Sequence, residues 1–433
     1  MRGVASIRIF RDVHIEYVKL PIPKSSVSFG YARLSSTYRF DFGANQLHSC
    51  GKFVRQKIRV RRFFVFDCTC HATKVLNQRA QVYYLWDMLK HTDLFPLLKS
   101  MPKVELHCHL ELSIRQSTLR EFALQNGLNV TSEQDFADAF LIQEPMGALK
   151  SVLHKFLNTR NVITQEQWME RVAFEVCEDM YLQSNVRILE LRYAPSFLLD
   201  HHVHMSAERL QEAILKGIKR AERTYPMAVG LICILQRTKS AQENAQWVDF
   251  ALQPEHEFVA LDLADNEVDF DPEPFIPLFK KAKDQGLGIT VHAGEPKVRG
   301  ISRNIRTAVE KMGADRIGHG LQAIEDPAVV KMLSEREIEL ELCPTSNWLT
   351  GACASFGEHP FQALYDAGVK TTVNTDDPGI MCTTLLNEYE ILARECSVDL
   401  ECFRTCNEWA FNASFIQDTH KANVWSRRLE SKH

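Results

Sequence analysis

Three absences narrow the reading before any motif is considered. No apolar run in the 433 residues approaches the ~20 needed to span a bilayer, which points away from a helical membrane protein. The 12 cysteines are scattered, with no CxxC…CxxC pair, and the one local cluster, Cys68-Thr-Cys70-His71, has no second half at zinc-finger spacing. A small disulfide-stapled domain is thereby excluded, and thiols in a reducing, cytoplasmic setting are the simpler account. Net charge is scarce as well, with 51 Lys and Arg against 55 Asp and Glu. That balance conceals an asymmetry. Residues 1–86 hold 15 basic against 4 acidic side chains, and the remainder 36 against 51.

The basic leader is rich in Arg, Phe and Tyr, as in Lys57-Ile-Arg59-Val-Arg61-Arg62-Phe-Phe64. Such a stretch could touch nucleic acid or serve as a transit peptide. No nucleic-acid-binding motif accompanies it, however, and Asp12 and Glu16 are out of place in a transit signal. Residues 1–87 are therefore expected to be a disordered appendage, or not part of the working protein if translation begins at Met88 or Met101.

From residue 88 to 433 the texture changes to short apolar runs ending in polar or Gly residues. They fall at 104–110, 186–195, 228–235, 258–265, 287–295, 316–320, 338–347 and 369–378. Helical patterns lie between most of them, for example 167–183 and 207–224, where apolar residues recur every three or four positions. Eight strands alternating with helices over about 290 residues predict an α/β fold, a (β/α)8 barrel, with closing helices from 390 onward. A doubly wound open sheet would carry a Gly-rich phosphate turn after its first strand, and none is present.

Barrel enzymes carry their chemistry at the C-terminal strand ends. Here the first strand ends His107-Cys-His109, the fifth His292-Ala-Gly-Glu295, the sixth Gly318-His319-Gly320, and the eighth Asp376-Asp377. A lone histidine is usually structural, but His, Asp and Glu at four strand ends converge on one mouth. Residues two apart on a strand share a face, so His107 and His109 point the same way. Strands one and eight are neighbours in a closed barrel, which brings the Asp pair to the His pair, and strand five faces them. Three imidazoles and a carboxylate suit one zinc ion, and the absence of a Lys on the fourth strand argues against a second metal.

Taken in order, Val104-Glu-Leu-His-Cys-His109, Glu190-Leu-Arg-Tyr-Ala-Pro195, Leu261-Asp-Leu-Ala264, Val291-His-Ala-Gly-Glu295, Arg316-Ile-Gly-His-Gly320 and Asn374-Thr-Asp-Asp-Pro378 resemble the adenosine deaminase family of metal-dependent barrel hydrolases. The resemblance covers about residues 90–425. It implies that His107, His109, His292 and Asp376 bind one Zn2+ per chain, and that His319 positions and deprotonates the attacking water. It further implies that Glu295 protonates purine N1 during attack at C6, that Asp377 holds N7, and that backbone near Ala264 and Asp265 meets N3. The chemistry is sensible in its own right. An amidine carbon is a poor electrophile, so a proton must reach the adjacent ring nitrogen from an acid that a dry pocket keeps neutral. The expected substrate is a purine nucleoside, adenosine or deoxyadenosine, handled by a monomer without nucleic-acid or membrane partners. The nucleic-acid base deaminases with H-x-E and PCxxC are a different class, and neither motif occurs.

Three positions depart from the family pattern. Glu111, expected at the sugar hydroxyls, stands where Asp is common, and Glu there is familiar in adenine and aminofutalosine deaminases. Leu112 replaces a Gly, which predicts a less permissive turn. Asp265 also replaces a Gly, placing a side chain at the purine edge. These changes leave open a deaminase of adenine, aminofutalosine or an N6-substituted purine nucleotide, or a non-catalytic purine-binding barrel. Leu153 and Phe156 on a helical stretch at 151–159 could cap an apolar ribose pocket. Cys343, at the seventh strand end, reads as ordinary packing.

Overall fold

The computed structural model describes residues 15–17, 32–34, 38–39, 94–146 and 149–425. In the leader, the short strands Ile15–Tyr17, Ala32–Leu34 and Tyr38–Arg39 pair antiparallel in chain order. The expectation of a disordered or unneeded segment at 1–87 otherwise lies outside the described residues.

Eight parallel strands follow: β1 (Lys103–His109), β2 (Val186–Tyr193), β3 (Ala228–Gln236), β4 (Phe258–Ala264), β5 (Gly288–Ala293), β6 (Arg316–His319), β7 (Glu339–Leu342) and β8 (Lys370–Val373). They form one sheet in chain order. The sheet closes through a parallel bridge between Cys108 and Asp376. There the Asp376 N–H donates to His107 O, and the His109 N–H to Asp376 O, each at 2.9 Å. All eight residues of β2 are buried, as expected of a strand covered on both faces. The helices on the outside explain this. Ala207–Thr224, capped by Ser206, presents Leu210, Ile214, Ile218 and Ala221 to the core at helical spacing. No helix among the described residues is long and apolar enough to cross a membrane.

Two strand ends differ from the sequence expectation. The seventh strand stops at Leu342, and Pro344–Leu349 is helical. Pro344 has no N–H for the ladder, while its fixed φ suits a first helical turn. The eighth strand stops at Val373, because Asp376 turns the chain with φ +66°.

The barrel interior is ionic where aliphatic layers are usual. Arg192 Nη1 donates to Asp262 at 2.9 Å and its Nη2 to Glu341 at 2.8 Å. Arg316 Nε donates to Glu341 at 2.7 Å and its Nη2 to Glu190 at 2.6 Å. Glu190 also accepts from the Ser414 hydroxyl at 2.8 Å, fastening the chain after the helix Leu400–Ala413 beneath the barrel. Burial pushes Glu341 up, but Arg192 and Arg316 outweigh it and hold the carboxylate well below its ordinary range.

Glu388, on the helix Leu385–Glu395, is buried without such a cation. It accepts from the Thr345 N–H at 2.9 Å and pairs with the Thr383 hydroxyl, yet burial raises its pKa to about 7. Between the unfolded value of 4.5 and about 7, the unfolded chain releases a proton that the folded chain keeps. Glu388 therefore makes stability fall as pH rises through that window. The isosteric, neutral Glu388→Gln is expected to be more stable than the parent at pH 8 by about 2–3 kcal/mol, with little gain at pH 4.5. Urea unfolding at both pH values measures the difference.

Candidate active site

The strand ends meet as their spacing predicts. His107 and His109 leave β1 on the same face, His292 comes from β5, and Asp376 from the turn after β8. One donor atom from each of these four lies within 4.8 Å of all the others. His109 Nε2 and His292 Nε2 stand 3.3 Å apart, and Asp376 Oδ1 lies 3.2 Å from His107 Nε2 and 3.1 Å from His109 Nε2. His107 Nε2 is buried and makes no hydrogen bond. An orphaned imidazole nitrogen facing two others and a carboxylate fits a cation that takes N and O donors.

The opposite ring nitrogens are held by carboxylates. His107 Nδ1 lies 2.8 Å from Glu341, and His292 Nδ1 lies 2.9 Å from Asp262. These bonds fix both rings with Nε2 toward the centre. Burial lowers His292 to about 3 despite Asp262, so this ring is neutral and available as a ligand. Gly318 makes the arrangement possible. A Cβ there would lie 3.1 Å from the His107 ring and 3.2 Å from the His292 ring. Gly318 thus serves the packing of two imidazoles.

On the other side of the mouth, His319 Nε2 lies 3.8 Å from both Glu295 Oε2 and Asp376 Oδ2. His319 is itself in the left-handed region, at φ +58°. Glu295 is held at three points. The Thr350 hydroxyl donates to Oε1 at 3.0 Å, its N–H donates to Glu267 at 3.1 Å, and its carbonyl accepts from Gln322 at 3.2 Å. Glu267 also accepts from the Gly294 N–H at 2.6 Å. Gly294 has φ +74°, and a Cβ would strike Ile305 at 2.4 Å, so the turn from His292 to Glu295 needs this glycine.

These groups floor a cavity of about 520 Å³ that Glu111, Asp265 and Asp377 also line. Asp377 is buried, with Oδ1 unpartnered, and burial together with Asp376, Glu111 and Glu295 raises its pKa well above the ordinary range. Glu111 accepts from the Ala194 N–H at 3.1 Å through Oε1, its buried Oε2 is unpartnered, and burial raises it to about 7. Leu112 sits in a right-handed 3-10 turn, Leu110–Leu112, which a side chain tolerates without strain. Asp265 does carry strain, at φ +89°. Its carboxylate is occupied by the Thr238 hydroxyl, the Gln236 amide and the Asn266 N–H, which tie it to the cavity wall.

The helix Leu149–Val162 brings Leu153 and Phe156 to the cavity, where Phe197, Ile234 and Met381 complete an apolar wall. Phe156→Ala is expected to raise KM about tenfold with kcat changed less than twofold, because the lost contact is made equally before and during reaction. Steady-state kinetics separate the two constants. Cys343 is fully buried beside β7 and burial raises its thiol well above the ordinary range, in keeping with packing. Among the described residues, all nine cysteines are free.

Asp262, Glu267, Glu341 and Thr350, which hold His292, Glu295 and His107 in place, are given no role in the sequence reading. Strand alternation could have found two of them, since Asp262 and Glu341 are polar residues at inward positions of buried strands. Nothing local marks the others.

Comparison with known proteins finds relatives along the barrel. The family model described as Adenosine deaminase matches residues 102–430. An adenosine deaminase from Plasmodium knowlesi is 33% identical over 344 residues, covering 76% of this chain and 93% of that protein. A zinc-bound amidohydrolase structure from Burkholderia ambifaria superposes with a TM-score of 0.68 at 25% identity, over 76% of this chain and 89% of the other. The N6-methyl-AMP deaminase of Arabidopsis thaliana gives 0.65 at 28% identity, over 76% and 96%.

Proposed function

The chain belongs to the adenosine deaminase family and is a hydrolytic deaminase, and from that premise we propose that it deaminates a 6-aminopurine nucleoside, adenosine or deoxyadenosine. The observation that carries this reading is the placement of His319 and Glu295 across one cavity floor from the His107, His109, His292 and Asp376 cluster. Those four residues would hold one zinc ion, which when bound lowers the pKa of water toward ~7 and so makes a nucleophile available at neutral pH.

The protein's own groups account for the rest. Asp377 meets N7, and the backbone at Ala264 and Asp265 meets N3, which sets the purine edge. His319 holds the attacking water over C6. Glu295, fixed by Thr350 and Glu267, gives N1 a proton as the water oxygen bonds to C6. The proton the water loses on attack replaces the one Glu295 gave up. The remaining hydroxyl proton leaves with the amine as ammonia, and the 6-oxo purine keeps hydrogen on N1. Glu111 reaches the sugar hydroxyls.

A nucleoside suits a cavity of about 520 Å³ better than adenine alone, because Phe156 and Arg160 line it besides the groups assigned to the purine. A nucleotide is the second reading, favoured by Arg160 and Lys297 at the same lining. We assign the activity to residues 88–433, acting in the cytoplasm as a monomer without nucleic-acid or membrane partners.

The test is an ultraviolet assay of adenosine, deoxyadenosine, adenine, aminodeoxyfutalosine and N6-methyl-AMP, run on the full chain and on one begun at Met88. The two nucleosides should give the highest kcat/KM with both proteins. Chelator-treated protein should lose turnover and regain it with one equivalent of zinc. A purine-independent baseline on all five substrates would return the chain to a binding role.

A further inference from the structure

His319 is held from behind by a chain of buried polar groups outside the reaction described above. Its Nδ1 lies 3.0 Å from Asn347 Nδ2, and Asn347 Oδ1 lies 3.1 Å from His359 Nε2. His359 Nδ1 in turn accepts from the Phe361 N–H at 3.2 Å. All three side chains are buried, with Asn347 fully so.

The direction of this chain follows from two main-chain groups that can only donate. The Phe361 N–H needs a bare His359 Nδ1, so a neutral His359 carries its hydrogen on Nε2 and donates to Asn347 Oδ1. Burial lowers His359 to about 3, with His319 adding to the effect, so the ring is neutral at working pH. The Cys343 N–H, 3.4 Å from Asn347 Oδ1, independently fixes the amide with oxygen on that side. Asn347 therefore turns its NH2 toward His319, and His319 Nδ1 must be the acceptor.

We infer that Asn347 and His359 are positioning residues that keep the hydrogen of neutral His319 on Nε2, so that this ring meets the attacking water as a donor. The inference rests on the deaminase reading for its consequence, though not for its geometry. It alters the part the family resemblance gives to His319. A ring nitrogen that already carries hydrogen cannot take the proton of the water. It holds the water oxygen and stabilises negative charge that gathers there, as a preorganised donor. The water proton passes to Glu295 after that carboxyl has protonated N1, so one group carries both protons and the count closes.

Long-range proton–nitrogen NMR of the histidine rings in the full chain tests this directly, with His319→Gln used to assign the signal. Wild-type protein, with and without zinc, should show His319 protonated at Nε2 and bare at Nδ1. Hydrogen on Nδ1 in the neutral ring would overturn the inference, whatever the activity. Asn347→Asp presents an acceptor to Nδ1 and should move the hydrogen there. With it kcat should fall about 100-fold, the scale of losing one oxyanion donor, while KM changes less than threefold. Full kcat with the hydrogen moved would refute the donor role. His359→Phe should lower kcat about tenfold, whereas His359→Gln, whose amide still donates to Asn347, should recover most of it. Equal loss in both would mean that His359 only fills space. Failure to deaminate any purine would remove the deaminase reading but leave the NMR result standing.

Discussion

Glu295→Gln is expected to keep its metal and lose turnover by about 10³–10⁴-fold, the range a positioned acid supplies. Glutamine matches glutamate in shape and still accepts from the Thr350 hydroxyl, so the turn after β5 and its bonds to Glu267 should persist. What it cannot do is give a proton to N1 and receive one back. The loss should therefore lie in kcat, with KM near the parent value. Metal analysis beside the ultraviolet assay separates this from damage to the site. A variant that retains a tenth of the parent kcat would end the proton-carrier role.

Glu341→Ala should give the largest loss of stability of any single change at the barrel interior. This carboxylate is bonded to Arg192, Arg316, His107 and Thr290, with no exposure to solvent. Its removal takes one of two carboxylates from each of two buried guanidinium groups, leaving Arg192 with Asp262 and Arg316 with Glu190, and breaking one buried pair costs about 3–5 kcal/mol. A loss of that size or more is a large share of the stability of an ordinary domain. The protein should be recovered mostly as aggregate. Glu341→Gln keeps two hydrogen-bonding atoms but loses the charge. It should fold with a lower denaturation midpoint and bind zinc about 10–100-fold more weakly, because His107 Nδ1 loses its carboxylate. Competition with a chelator reads the affinity, and a soluble Glu341→Ala with unchanged midpoint would contradict the account of the interior.

The fold was legible because its signal is repeated. Eight apolar runs separated by helical periods point to one architecture even when individual ends are misplaced, as at Pro344 and Asp376. The gathering of His107, His109, His292 and Asp376 was legible for another reason. His107 and His109 obey the two-residue period of a strand, and barrel closure puts residues 107 and 376 side by side. Residues that act through others were not. Asn347 matters because of what His359 and Phe361 do to its amide, twelve and fourteen positions away, and no period or spacing connects them. Asp265 shows the opposite failure. Its identity was readable, but its effect was not, since Thr238 and Gln236 draw its carboxylate to the wall.

The seam between the first and last strands has one more implication. Asp376 both supplies a carboxylate to the cluster and donates and accepts the two main-chain bonds that close the ring. An ion held by this cluster would be coupled to the pairing that shuts the barrel. Each favours the other by the same free energy. An emptied protein would breathe first along this line, and amide hydrogens at 109 and 376 would exchange sooner than those of the neighbouring staves. Ion content would thus act as a gauge of how firmly the barrel is hooped.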